Sequence, residues 1–178
     1  MGKGINKAKN IIKEYKGSYE LSSMTKPCIF LSHKRLDIKM VRDIGTYINN
    51  AGIDTYLDEK DIDLQKATDY NDDRAITECI QDGIKKSTHV LCLLSDNTVG
   101  SWWVPYEIGY GEYGNKKIAS LKLKDLKYHV PSYLKIRDLI NNIDELNKYL
   151  TNIAREYKIN QKRFDKSNRI DYILYENS

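Results

Sequence analysis

His89-Val90-Leu91-Cys92-Leu93-Leu94 runs directly into Ser95-Asp96-Asn97-Thr98. A short apolar run, closed by residues that favour turns and helix starts, predicts a strand buried on both faces. Working back from it, Ile76, Cys79, Ile80 and Ile84 recur at helical spacing. Before them lie a polar, acidic loop over residues 58–72 and a strand from Ile53 to Leu57. Ala51-Gly52 ends an earlier helix whose apolar face is Ile38, Val41, Ile44 and Ile48, with Asp37 as its N-terminal cap. Cys28-Ile29-Phe30-Leu31 is the first strand. Working forward, a helix is expected from about Trp102 to Tyr113, stopped by Gly114. Lys117 to Leu123 then gives a fourth strand, placed nearer an edge by its lysines. A weaker strand falls near Leu134 to Leu139, and Ile143, Leu146, Leu150 and Ile153 mark a last helix.

Strands alternating with helices at this spacing mean a parallel sheet covered on both faces. Right-handed crossovers leave few topologies. The expected fold is an α/β, flavodoxin-like three-layer sandwich with strand order 2-1-3-4-5. Residues 27–156 make up this domain. Residues 1–26 form a basic arm, with a short helix over residues 5–16 built on Ile5, Ala8, Ile11 and Ile12. Residues 157–178 are a C-terminal extension of no assigned structure.

The chain has 178 residues, 40% apolar and 30% charged, the composition of an ordinary folded domain. The net charge is +4. Six lysines against two glutamates in residues 1–26 account for the whole excess. The domain body is therefore neutral, which argues against a nucleic-acid surface. No run reaches membrane-span length and no apolar signal stretch follows Met1, so a cytoplasmic protein is expected. Cys28, Cys79 and Cys92 sit in apolar or helical runs and read as buried free thiols. No Cys/His spacing suggests a metal.

An open parallel sheet binds its ligands beyond the carboxyl ends of the strands, where the winding reverses. With order 2-1-3, that crevice lies between the first and third strands. The first delivers Ser32-His33-Lys34-Arg35 there, and the third delivers Ser95-Asp96-Asn97-Thr98. The next helix starts at the same edge with Trp102, Trp103 and Glu107. Pro105 suits a first helical turn, and Trp103 and Glu107, four apart, share a face. A helix start also favours a carboxylate electrostatically. Gly-x-Gly-x-x-Gly, Walker and Gly-x-Ser-x-Gly motifs are absent, which removes the ordinary phosphate cradles and the hydrolase elbow.

These residues resemble a known family. Phe30-Leu31-Ser32-His33-Lys34-Arg35-Leu36-Asp37 is similar to the first-strand box of bacterial TIR domains. Asp54-Thr55-Tyr56-Leu57-Asp58-Glu59 resembles the strand leading to that family's BB loop. Val90 to Ser95 resembles its third strand, and Ser101-Trp102-Trp103-Val104-Pro105-Tyr106-Glu107-Ile108 its Ser-x-Trp-x-x-x-Glu box. The four boxes stand in the family's order over roughly residues 27–123. Where family loops often carry Pro-Gly, residues 59–72 carry neither.

The resemblance implies an enzyme that cleaves the nicotinamide–ribose bond of NAD⁺, with Glu107 as its catalytic carboxylate. It implies substrate-binding parts for Phe30, Ser32, His33, Asp37, Asp58, Trp102 and Trp103. NAD⁺ is then substrate, with no separate cofactor. Stand-alone TIR proteins of Thoeris-type antiphage systems are similar in size, which implies an ADP-ribose product, cyclic or not, that activates a separate effector. Self-assembly through TIR–TIR contacts belongs to the same expectation. Two other readings stand beside it. One is a non-enzymatic TIR interaction module, favoured by the atypical loop and the basic arm. The other is a nucleoside deoxyribosyltransferase-like enzyme, which shares the sheet and a glutamate for ribosyl chemistry.

Overall fold

Strand β1, Cys28–Ser32, lies second in a five-stranded sheet, between the edge strand and the central one. A computed structural model of the chain describes residues 3, 5–7, 26–57, 72–124, 126–159 and 170–176. A single 3₁₀ turn, Arg35–Asp37, leads into α1, Ile38–Asn50. Gly52, at φ +88°, makes the left-handed turn into β2, Asp54–Tyr56, a conformation that a side chain would strain. Helix α2, Asp73–Lys85, is capped by the Asp72 carboxylate, which accepts from Ala75 N–H. Strand β3, His89–Leu94, follows, then the four-residue α3, Asp96–Val99, and α4, Trp103–Tyr113. After β4, Lys117–Lys122, come the short α5, Ser132–Lys135, then β5, Asp138–Ile140, and α6, Ile143–Glu156.

All strand pairs are parallel, in the order β2-β1-β3-β4-β5. The period-2 alternation of strands splits the core into two layers. Ile29, Leu31, Leu91, Leu93, Ala119 and Leu121 pack with α1 and α6 on one face. Cys28, Phe30, Val90, Cys92 and Leu94 pack with α2 and α4 on the other. Full burial of each such aliphatic side chain contributes about 1.5–3 kcal/mol. No helix among the described residues is long and apolar enough to cross a membrane.

Several sequence expectations shift. β4 lies between β3 and the edge strand β5, but its lysines do not alternate along an exposed face: Lys117 and Lys122 stand at its ends, and Ala119, Ser120 and Leu121 between them are buried. The weak strand near residues 134–139 divides into α5 and β5. Asn115, at φ 55°, takes the left-handed turn after α4, whereas Gly114 does not. Ile5 belongs to no helix face: it is exposed, and Asn6 forms a parallel bridge to Thr55. Residues 8–16 of that expected helix lie outside the described residues. The C-terminal extension takes part in the core. Ile170, Ile173 and Leu174 are buried with the α1–α6 layer, and Tyr175 bridges Asn142.

Candidate functional site

The alternation that buries Cys28 and Phe30 on the α4 face also turns Ser32 to that face. Register places Ser32 beside Cys92 on β3. Helix α4 comes close to the sheet because Gly111 has no side chain. A Cβ there would stand 2.9 Å from Val90 Cγ2 and 3.2 Å from Ile118 Cδ1. Four residues earlier on the same helix face is Glu107, only 4% exposed. Ser32 Oγ donates to Glu107 Oε2 at 2.5 Å. A hydroxyl bound to a carboxylate is among the stronger protein hydrogen bonds, so it holds the carboxylate in one orientation. Burial, and then the neighbouring Glu107 charge, pushes the Cys92 thiol up, which leaves it unreactive.

The start of α4 does not supply the field expected at Glu107. α4 begins at Trp103, so Glu107 lies on its second turn and its first turn holds no acid. A helix-terminus field falls off within the first turn. Ser32, brought in by β1, provides the polar partner instead.

Asp37 occupies the cap position of α1 but makes no cap hydrogen bond. Its buried carboxylate reaches across the crevice edge to the end of β3. Ser95 Oγ donates to Oδ2 at 2.5 Å and Asn97 Nδ2 to Oδ1 at 2.6 Å. Ser95 also caps α3, accepting from Asn97 and Thr98 N–H, while Thr98 Oγ1 accepts from Ser95 N–H. Asp37 thus clasps α1 to β3 across the topological switch point. The sequence marks Ser95 to Thr98 as a polar cluster at the strand end, but not the tie of Ser95 to Asp37, 58 residues away.

His33 is half-buried, with Nδ1 2.8 Å from the Leu31 carbonyl. A carbonyl only accepts, so that nitrogen carries the proton in this bond. Phe30 lies beneath the site: it is fully buried and its ring stacks on Tyr56 at 5.8 Å. Its position corrects the expectation of a lining residue, since a side chain facing the α2–α4 layer packs there. Trp103 is partly exposed and edge-on to Tyr106, whose hydroxyl accepts from Gln81 on α2. Trp102, at the helix mouth, is 93% exposed. Asp58 and the expected loop residues 59–71 lie outside the described residues. The elements therefore bring Ser32, His33, Trp103 and Glu107 to one strand-end region. Among the described residues, no group of three or more His, Cys, Asp or Glu side chains is placed to hold a metal ion.

The sequence matches the family described as "TIR domain" over residues 29–150. It is 26% identical, over 124 residues, to a Bacillus cereus (strain MSX-D12) protein described as "Probable 3' cyclic ADP-D-ribose synthase ThsB'". That match covers 68% of this chain and 61% of the relative, so the chain spans under two thirds of the relative's length. Among solved structures, the chain is similar to the TIR domain of the Toll-related receptor TRR-2 from Hydra magnipapillata. The TM-score is 0.52 at 16% identity, over 73% of this chain and 97% of that one. At that identity the likeness speaks for the fold.

Proposed function

This chain belongs to the TIR domain family, and from that premise we propose that it cleaves the nicotinamide–ribose bond of NAD⁺ with Glu107 as the catalytic carboxylate. One observation carries the reading. A nearly buried carboxylate is held by a 2.5 Å hydrogen bond from Ser32 at the carboxyl ends of the central strands.

The chemistry suits that arrangement. As the bond between ribose C1′ and the nicotinamide nitrogen breaks, its electron pair leaves with nicotinamide, and positive charge builds on the ribose. A fixed carboxylate beside the ring stabilises that oxocarbenium-like state. Water then adds at C1′ and loses a proton to give ADP-ribose, or a nucleophilic atom of the same molecule closes a cyclic isomer. Trp102 and Trp103 offer aromatic faces to a base. Similarity to the Bacillus cereus protein supports a cyclic ADP-ribose product, and the resemblance to Thoeris-type TIR proteins supports a separate effector in antiphage defence as its target. Exposed Trp102 and Leu36 also suit contacts between copies of the domain.

Incubation with NAD⁺, with and without extract of phage-infected cells, followed by mass spectrometry of the products, tests this reading. Nicotinamide release with an ADP-ribose product is expected, and Glu107→Ala should lower turnover by about 10²-fold or more. Full NAD⁺ consumption by that variant would remove Glu107 from the chemistry. No consumption under either condition, with specific binding to a second TIR domain, would make the chain an interaction module. Exchange of base between deoxynucleosides would make it a transferase.

A further inference from the structure

The β2 edge of the sheet is covered by the chain's own N-terminal residues. Thr55 N–H donates to the Ile5 carbonyl at 2.9 Å, and Asn6 lies in parallel register with Thr55. Ile5 N–H donates to Asp54 Oδ1 at 2.9 Å. The same oxygen takes Lys26 Nζ at 2.6 Å, and Lys7 Nζ stands 3.8 Å from Oδ2. Asp54 is buried. A buried carboxylate left without partners is costly, so these three donors give the N-terminal residues a reason to stay on the edge.

One residue further along, Asn6 stands in for a strand. Its Oδ1 accepts from Leu57 N–H at 3.1 Å, and its Nδ2 donates to the Leu57 carbonyl at 3.4 Å. A primary amide offers a donor and an acceptor side by side, as a peptide group does. The pairing of β2 is thereby extended past Tyr56, the last residue of the strand. Because all strands are parallel, Leu57 leaves the sheet on the same side as Ser32 and Leu94.

We propose that residues 5–7 form a strap on the β2 edge, and that Asn6 is a positioning residue whose amide fixes Leu57 where the chain leaves β2. The second half of this proposal rests on the strand ends being an NAD⁺ site. Asn6 then acts on binding and not on bond cleavage, because Glu107 and Ser32 are carried by α4 and β1. A residue with a merely structural part would instead lower the folded fraction, and with it apparent kcat.

Two measurements on Asn6→Ala and Asn6→Asp test the proposal: amide hydrogen exchange of the full chain, and steady-state NAD⁺ kinetics. In Asn6→Ala, Leu57 amide exchange is expected to accelerate about tenfold while the β3 amides keep wild-type protection. Asn6→Asp keeps the acceptor but sets a carboxylate oxygen against the Leu57 carbonyl, so its Leu57 exchange should fall between wild type and Asn6→Ala. In Asn6→Ala, KM for NAD⁺ should rise roughly three- to tenfold with kcat within about twofold, the size of one lost hydrogen bond. Unchanged Leu57 exchange in Asn6→Ala would overturn the strap. A fall in kcat at constant KM would overturn the positioning role. If the wild-type protein neither binds nor consumes NAD⁺, the functional reading and the positioning role fail together, while the Leu57 exchange still decides the strap.

Discussion

Ser32 stands at the end of β1, where a hydroxyl ordinarily faces water, and here it donates to Glu107. The carboxylate is nearly buried, so the loss of a hydrogen bond that orients it matters. A hydrogen bond to a charged group contributes about 1.5–3 kcal/mol. Ser32→Ala should therefore lower kcat for NAD⁺ cleavage by roughly 10- to 100-fold, at about tenfold per 1.4 kcal/mol, with KM little changed. Steady-state kinetics on the purified variant checks this, and a wild-type kcat would show that Ser32 does not orient the carboxylate. At this scale the sequence was legible where a residue belongs to a short motif on one element, as Glu107 does in Ser101 to Glu107. It was not legible for Phe30 and Asp37. Both stand in the same box as Ser32, but one packs on Tyr56 and the other clasps Ser95 and Asn97. Only the facing elements decide such partners.

Helix α4 carries Glu107, and the approach of that helix to the sheet depends on Gly111. Gly109, two residues away, has nothing within 4 Å of its would-be Cβ. The pair makes an internal control. Gly109→Ala adds helix propensity at an open position and should stabilise by about 0.5–1 kcal/mol. Gly111→Ala forces a methyl against Val90 and Ile118 and should cost about 1–3 kcal/mol. It should also lower kcat, because the helix must move away from β3 and take Glu107 away from Ser32. Chemical denaturation and kinetics on the two variants test this, and equal behaviour would mean that α4 is not held by close contact. The sequence places Gly111 inside a helix but says nothing of what that helix face meets. The lysines of β4 are a similar case. They lie at the two ends of an interior strand, and a one-dimensional pattern does not distinguish an end from an edge.

At the scale of the whole molecule, the candidate site and a pH-sensitive element lie at opposite ends of the strands. His89 opens β3 at the end away from Ser95. It is buried, with Nδ1 2.8 Å from Thr88 Oγ1 and its ring edge-on to Tyr149 and Tyr157. Burial first, and then the Lys117 charge, pushes His89 down to about 4, with Glu156 pulling the other way. In the unfolded chain it titrates near 6.5. Between those values the unfolded state binds more protons, so stability rises with pH through the window. It is full above about pH 6.5 and is lost as pH falls toward 4, by about 1.4 kcal/mol per unit. Denaturant midpoints from pH 7 to 4.5 should fall more steeply for wild type than for His89→Gln. Identical slopes would mean that His89 is not held neutral by the fold.

From the residues alone came the succession of strands and helices, the order 2-1-3-4-5, the crevice between the first and third strands, and the placement of Glu107 beside it. Those follow from local periodicity and from the handedness of crossovers, both of which are properties of the chain taken piece by piece. Only the tertiary structure decided that Glu107 answers to Ser32 and not to a helix start, that Asp37 is a clasp, that Asn6 extends the β2 edge, and that Ile173 packs into the α1–α6 layer. These are partnerships between residues 32 and 107, 37 and 95, or 6 and 57. Hydrogen-bond geometry across such separations is set by how the layers pack, and composition, spacing and motif do not encode it.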